Sequence, residues 1–364
     1  MQTQIEQPII SRRILVAPLN WGLGHAARCI PIIEALERHG FTPILASDGQ
    51  ARSLLQKEFA HLQILELPSY DIEYANDRAG FKWQMLKNVP TMVESILKEK
   101  KIVKKWVGEY NLDGIISDNR PGVISKKVPS VFITHQLNVL SGSTTWFSGK
   151  LHRLIIEKFT ECWVPDFKGL TNLTGKLGHL TESGLEVKYI GPLSRLKKVA
   201  LPIKYNLMVL LSGPEPQRTH LEKILKKQVL GFKGKVIFIS GVVAPEQKTS
   251  TAGHVTFYNF MTRIQLEQAM NESALVLCRS GYTTIMDLAK LGKPAFFIPT
   301  PGQYEQEYLA KKFKKQGIFT YATQDKFEIS NLFEAEVYKG LPDDLILEND
   351  WDALFGLFKC KGEL

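Results

Sequence analysis

The 364-residue chain predicts an α/β fold made of two doubly wound domains in series, and three observations carry that expectation. Length is the first, because a single hydrophobic core rarely grows past about 250–300 residues, so two domains are expected. Short apolar runs alternate with stretches of helical spacing almost throughout, the pattern of parallel strands covered by helices on both faces. That alternation occurs twice, separated by "VKYIGPLSRLKKVALPIKY", a Pro-containing basic segment without a long period that reads as a connection.

In the first series, strands are expected at 13–18, 42–47, 63–67, 114–117 and 131–134, with helices at 26–39, 50–58, 83–108 and 150–160. In the second, the strands are "YNLMVLLSG" (205–213), "KVIFIS" (235–240), "VTFYNF" (255–260), "ALVLC" (274–278) and "PAFFIP" (294–299). The boundary is placed near Val199, giving domains at 1–198 and 199–344. The tail, 345–364, contains a helix from Leu345 to Phe358 expected to pack back toward the N-terminal domain. Sheets of this kind bind ligands beyond the carboxyl ends of their strands, so the site is expected in the cleft between two Rossmann-like lobes.

Composition narrows the function classes. The chain is 44% hydrophobic and 23% charged, with no apolar run near the roughly 18 residues that would span a bilayer. Its start, "MQTQIEQPIISRR", lacks the basic-then-apolar order of a secretion signal, so a cytoplasmic protein is expected. Cys29, Cys162, Cys278 and Cys360 form no CxxC pair and accompany no histidine cluster; buried thiols are expected, with no disulfide framework and no metal site. A formal charge of +9 attracts phosphates of some kind. The basic stretches at 98–106 and 221–228 have helical spacing and read as solvated helix faces. None is interleaved with stacking aromatics, so a nucleic-acid partner is not expected.

"LNWGLGHAARC" (19–29) follows the first strand and opens a helix. Gly22-x-Gly24-x-x-Ala27 satisfies the dinucleotide fingerprint, and Asp48 ends the next strand, where an acidic residue would bind a ribose. A nucleotide-sugar loop is equally compatible. His25, in the first helical turn, would feel the positive end of the helix dipole and stay neutral, able to accept a proton.

"LCRSGYTTIMDLAKLGKPAFFIPTPGQYEQEYLAKKF" (277–313) is the most informative stretch. It reads as a strand, a tight turn at Arg279, Ser280 and Gly281, and a helix from about Thr284 to Leu291, closed by Gly292 and followed by Pro294. The amides of Ser280 to Thr283 would form an anion site, with Gly281 admitting a phosphate and Arg279 beside it. Asp287 would bind ribose hydroxyls or join Thr284 in a capping box. Gln303 to Tyr308 offer amides and carboxylates to a sugar.

These motifs resemble the GT-B glycosyltransferases of the MurG type, whose second domain carries the nucleotide-sugar site. Arg279-Ser280-Gly281, Asp287, Gly292-x-Pro294 and Gln306-Glu307-Tyr308 stand at that family's spacing, and "WGLGH" resembles its N-terminal loop. The resemblance implies that Asp287 binds the donor ribose, that Gln306 and Glu307 hold the donor sugar, and that backbone near Phe260 and Met261 meets uracil. It implies that His25 faces the donor phosphates and the acceptor. Asp287 stands where the family has Glu, Glu307 where it has Gln, and "LLSGPEPQRTH" replaces its Gly-Gly-Ser-Gln-Gly loop. Ser212 and Gly213 keep that loop's opening and Arg218 is a candidate phosphate contact, while Pro214 and Pro216 remove two amides.

The expected activity is therefore inverting, metal-independent transfer of a hexose or N-acetylhexosamine from a nucleoside-diphosphate sugar, with UDP as the expected carrier, to a saccharide or lipid-linked hydroxyl. The nucleotide sugar is a co-substrate and no other cofactor is expected. His25 is the first candidate for the base, followed by Asp118 in "ISDNRPG" and His135 in "ITHQLN", which both follow first-domain strands. Trp146, Phe147 and Leu151 are candidates for peripheral contact with the inner face of a membrane, a packed loop being the alternative. A nucleotide-sugar epimerase of the same shape, an NAD-dependent oxidoreductase using Asp48, and a binding protein without turnover remain as rivals.

Overall fold

A computed structural model describes residues 11–70, 78–138, 152–169, 171–179, 186–242, 244–338, 340–342 and 349–359. Two seven-stranded sheets organise them. The first contains β1 (Arg13–Pro18), β2 (Thr42–Ser47), β3 (Ile64–Glu66), β4 (Leu112–Asp118), β5 (Ser130–Ile133), β6 (Glu161–Val164) and β7 (Val187–Tyr189). Every pairing is parallel, in the order β3-β2-β1-β4-β5-β6-β7. The second contains β8 (Tyr205–Leu210), β9 (Val236–Ile239), β10 (Thr249–Ala252), β11 (Val255–Tyr258), β12 (Ser273–Cys278), β13 (Ala295–Phe297) and β14 (Thr320–Tyr321). Its order is β10-β11-β9-β8-β12-β13-β14, parallel except where β10 pairs β11.

Strand order reverses direction between β1 and β4 in the first sheet and between β8 and β12 in the second, which opens a crevice at each pair of carboxyl ends. The helices covering the sheets are α1 (Gly24–Arg38), α2 (Gly49–Glu58), α3 (Arg78–Glu109), α4 (Gln217–Gln228), α5 (Arg263–Asn271), α6 (Tyr282–Leu291), α7 (Tyr304–Lys315) and α8 (Trp351–Lys359). Central strands are apolar on both faces, as in Ile14, Leu15, Val16 and Ala17 of β1, all 0% exposed, because helices cover both sides. On α3 the lysine run behaves as a solvated face: Lys101, Lys104 and Lys105 are exposed while Val103 and Val107 are buried.

Four strands were not expected. β6 and β7 extend the first sheet and β10 and β14 the second; β7 and β14 are only three and two residues long, and "TSTA" of β10 is exposed throughout and carries no apolar alternation. Cys29, Cys162 and Cys278 are buried free thiols, and burial pushes Cys162 up to about 12; Cys360 lies outside the described residues, as do Trp146, Phe147 and Leu151. Among the described residues no helix is long and apolar enough to cross a membrane.

The tail returns to the first sheet. Residues 345–348 of the expected helix lie outside the described residues, and α8 lays Phe355 and Phe358 edge-on against Phe41 at 5.6 and 6.5 Å. Gly114 of β4 makes room for Phe358, since a Cβ there would collide with the ring. Phe358 is 1% exposed; Phe358→Ala is expected to cost about 3 kcal/mol, the usual loss for emptying a buried aromatic site, measured by urea unfolding.

Candidate active site

Both crevices open onto the same space. β1 ends at Pro18, and the chain turns through Gly22, whose φ of +69° requires glycine, into α1. At the start of α1, Gly24 comes so close to the second domain that a Cβ would stand 2.7 Å from Thr283 Oγ1 of α6. The N-termini of α1 and α6 therefore meet across the cleft.

His25 and Arg28 share a face of α1, being three residues apart. His25 Nδ1 lies 2.9 Å from Asp118 Oδ1 at the carboxyl end of β4, and Arg28 Nε donates to Asp118 Oδ2 at 2.6 Å while Nη2 grips Oδ1. An ionised carboxylate only accepts and a guanidinium only donates, so the Nδ1 proton of His25 points to Asp118. Arg28 Nη2, 3.0 Å from the same nitrogen, is there because both groups hold one oxygen. This arrangement leaves the Nε2 lone pair of His25, whose side chain is 12% exposed, available as a proton acceptor. Burial works to raise the Asp118 pKa, but Arg28 and His25 outweigh it and hold the carboxyl well below its usual range. Burial pushes His25 down against the pull of Asp118, so the ring is neutral at rest.

His135, just beyond β5, places Nδ1 2.9 Å from Arg28 Nη1. Its ring stacks on Tyr282 of α6 at 4.4 Å and 4°, and Tyr282 in turn donates to the Pro165 carbonyl of the first domain at 2.6 Å. The three predicted base candidates are thus in one cluster, but among the described residues only His25 keeps a lone pair without a partner; Asp118 and His135 hold it in place.

In the second domain, α6 starts at Gly281 with no side-chain cap on its first-turn amides. Gly281 has φ −72°, which any residue adopts, and a Cβ there would meet nothing within 4 Å. The fold itself does not demand glycine at this position, and the space beside it is open. Thr283 lies beside this turn, facing Gly24.

Several expected donor contacts are differently employed. Arg279 is 1% exposed, and its Nη atoms donate to the carbonyls of Ile298, Pro299 and Gln217 and to Gln324 Oε1, so it ties β12 to neighbouring loops instead of reaching a phosphate. Without a carboxylate partner, burial lowers its pKa to about 10. Arg218 is held by Glu215, Glu222 and the Ser240 carbonyl. Ser280 Oγ is buried and donates to the Gln306 carbonyl. Gln306 accepts from Thr300 N at 2.8 Å and donates to Gln303 at 2.5 Å, which shapes the loop before α7; Glu307 accepts from Gly302 N at 3.0 Å. Phe260 N and its carbonyl are engaged by Asn259 and Gln247, and Met261 packs on the core. Ser212 is exposed and Gly213 adopts φ +108° in the loop opening α4.

Asp287 is not in a capping box. It accepts from Ser194 Oγ of the inter-domain segment at 2.6 Å, and burial, opposed by that bond and by Arg195, raises its pKa to about 6. Asp48 does not await a ribose: it accepts from Arg120 at 2.6 Å and Asn20 at 3.1 Å, and Arg120 also binds Glu99 at 2.7 Å. The acidic residue that a dinucleotide reading needs is consumed by a buried ion pair. Arg28, Tyr282 and Glu305 were missed from sequence; the spacing of Arg28 from His25 was the one available signal.

Residues 216–351 match the model of the glycosyltransferase family 28 C-terminal domain. Across both domains the chain is 24% identical to a Haemophilus ducreyi protein named UDP-N-acetylglucosamine--N-acetylmuramyl-(pentapeptide) pyrophosphoryl-undecaprenol N-acetylglucosamine transferase, covering 89% of this chain and 88% of that one. It is a glycosyltransferase, similar across both domains to those of the MurG type. An uncharacterized glycosyltransferase of Methanosarcina mazei is also 24% identical over 85% of this chain and 86% of its own length. The fold is GT-B: MurG of Acinetobacter baumannii superposes with a TM-score of 0.57 at 12% identity, covering 96% of this chain and 99% of that one. The spinosyn rhamnosyltransferase SpnG superposes with 0.63 at 14% identity, covering 95% and 99%.

A carboxyl with a raised pKa binds its proton more tightly when folded, so its contribution to stability is present in acid and lost as pH rises through about 4 to 6. Asp287→Asn is expected to flatten the fall in unfolding free energy between pH 4 and 7 by about 2 kcal/mol, read from denaturant curves at both pH values.

Proposed function

We propose that this glycosyltransferase moves a hexose or N-acetylhexosamine from a nucleoside-diphosphate sugar, UDP-linked, to a hydroxyl acceptor, with inversion and without a metal ion. The observation that carries this reading is the meeting of two groups across the cleft. One is the His25–Asp118 dyad, with a free Nε2 at the start of α1; the other is the uncapped start of α6, with open space over Gly281. Transfer needs a base for the acceptor hydroxyl and positive charge for the departing diphosphate. His25 supplies the first. Because Arg279 and Arg218 are engaged elsewhere, the second falls to the α6 amides and helix dipole, acting where negative charge develops.

With the diphosphate on α6 and the base on α1, the anomeric carbon lies between them. An acceptor deprotonated by His25 then attacks directly and inverts the centre. The loop Gln303–Glu307 would hold the sugar, and Asp287, beside the inter-domain segment, the ribose. Support for the donor class comes from the family 28 domain and from a solved SpnG complex with thymidine diphosphate, which shares this fold. A lipid-linked acceptor is suggested by the name of the H. ducreyi relative, and contact with a membrane surface would follow from it.

Gly281→Val tests the site, because the φ is allowed and a Cβ there meets no atom within 4 Å. UDP and UDP-sugars are expected to raise the melting temperature of the wild type, and Gly281→Val is expected to abolish that rise while leaving the free protein's melting temperature unchanged. His25→Ala should keep the rise but lose turnover by about 10² to 10⁴, and EDTA should leave turnover intact. A rise that survives in Gly281→Val would place the nucleotide elsewhere.

A further inference from the structure

A chain of five side chains links the two domains. Glu305, in the first turn of α7, lies 3.0 Å from His135 Nε2, and Gln136 Nε2 donates to its other oxygen. His135 Nδ1 meets Arg28 at 2.9 Å, Arg28 grips Asp118, and Asp118 holds His25. Donors and acceptors dictate every proton in this chain: His135 accepts at Nδ1 from the guanidinium and donates at Nε2 to Glu305, and His25 donates at Nδ1. Glu305 is the only member from the second domain.

The charges are as informative as the geometry. Glu305 and Asp118 are negative and Arg28 positive, so apart from the two imidazoles these side chains carry one net negative charge. When His25 accepts a proton the sum becomes zero. Burial would raise the Glu305 carboxyl, but His135 and Arg28 outweigh burial and keep it ionised. Among the described residues the other titratable groups at the dyad are neutral: Cys29, whose Sγ lies 3.5 Å from Asp118, and Tyr282 of α6 are both pushed far up by burial.

We propose that Glu305 is a positioning residue that couples the second domain to the base, fixing the His135 tautomer and, through Arg28 and Asp118, the orientation and basicity of His25. The base is then fully assembled only when α7 is seated against the first domain. α7 also carries Gln306 and Glu307 in its first turn, so whatever sets that turn sets Glu305. This inference rests on the proposed transfer reaction, in which His25 is the base.

The whole protein, labelled with ¹⁵N, is titrated by NMR of the histidine rings, with His25 and His135 identified by loss of signal in His25→Asn and His135→Asn. His135 is expected as the Nε2–H tautomer. Glu305→Gln removes a negative charge, so the His25 midpoint is expected to fall by about half a pH unit or more, and Glu305→Asp is expected to recover part of the shift. With UDP-N-acetylglucosamine as donor and water as acceptor, kcat should fall about tenfold in Glu305→Gln, with donor KM within about twofold, and the acidic limb of the kcat profile should move to lower pH.

An unchanged midpoint in Glu305→Gln, or a loss carried by KM instead of kcat, would overturn the proposal. Should Glu305→Gln fail to fold, the midpoint in Glu305→Asp decides by the same sign. If the wild type neither binds nor hydrolyses a nucleotide sugar, the functional reading fails, while the midpoints in the free protein still decide whether Glu305 acts on His25.

Discussion

Arg28 and Asp118 are both withdrawn from water, at 2% and 0% exposure, where an unpaired charge is costly. Moving one such ion into the interior costs several kcal/mol even after relaxation, and only a partner with matched geometry offsets it. The two-point grip of the guanidinium on the carboxylate provides that geometry. It also joins α1 to the carboxyl end of β4 at the point where strand order reverses, and through His135 to the end of β5. The position of His25, the proposed base, is therefore inherited from an ion pair. His25 sits one turn before Arg28 on the same helix, so its ring has little freedom once the pair is made.

The second domain divides its polar groups differently. Its buried cation, Arg279, binds carbonyls, and Gln306 and Ser280 brace the loop before α7 and the turn before α6. Those bonds hold the loop and the turn in place, and on the proposed reaction donors fixed in advance need not reorganise when charge develops. In the proposed reaction the groups left to meet an anion are backbone amides at the start of α6. On the proposed reaction, an anion site built from amides takes phosphate close to the main chain, and the open space at Gly281, whose dihedral angles do not call for glycine, accords with that.

Both sheets were legible where strands are long and apolar on both faces, as in β1 or β12, because burial there leaves a continuous hydrophobic run. They were illegible at the edges, where β10 has nothing apolar to alternate and β14 is two residues long. The site was legible in residue type: His25, Asp118 and His135 do stand together. Arg279 and Arg218 show the limit of such reading. A sequence reveals that a cation follows a strand, but whether it faces a ligand or a row of carbonyls depends on packing between elements distant in the chain. Asp48 fails for the same reason, since its partner Arg120 is 72 residues away. Glu305 was invisible because its meaning lies in the other domain, 170 residues from His135.

The same helix explains how the domains find one relative placement. Glu305, Tyr308 and Lys312 lie at intervals of three and four on α7 and so form one stripe along it. Tyr308 OH accepts from Lys176 N at 2.7 Å, and Lys312 Nζ donates to the Asn172 carbonyl at 2.6 Å. Between them Gly175, at φ +57°, lets the first-domain loop approach both side chains closely. Burial lowers the Lys312 pKa to about 8, a sign that this contact excludes water. The stripe thus makes two contacts of different kind, one to a loop that fixes distance and one to His135 that bears on the base. A contact of the first kind alone would hold the domains together; the second makes their separation matter to the chemistry.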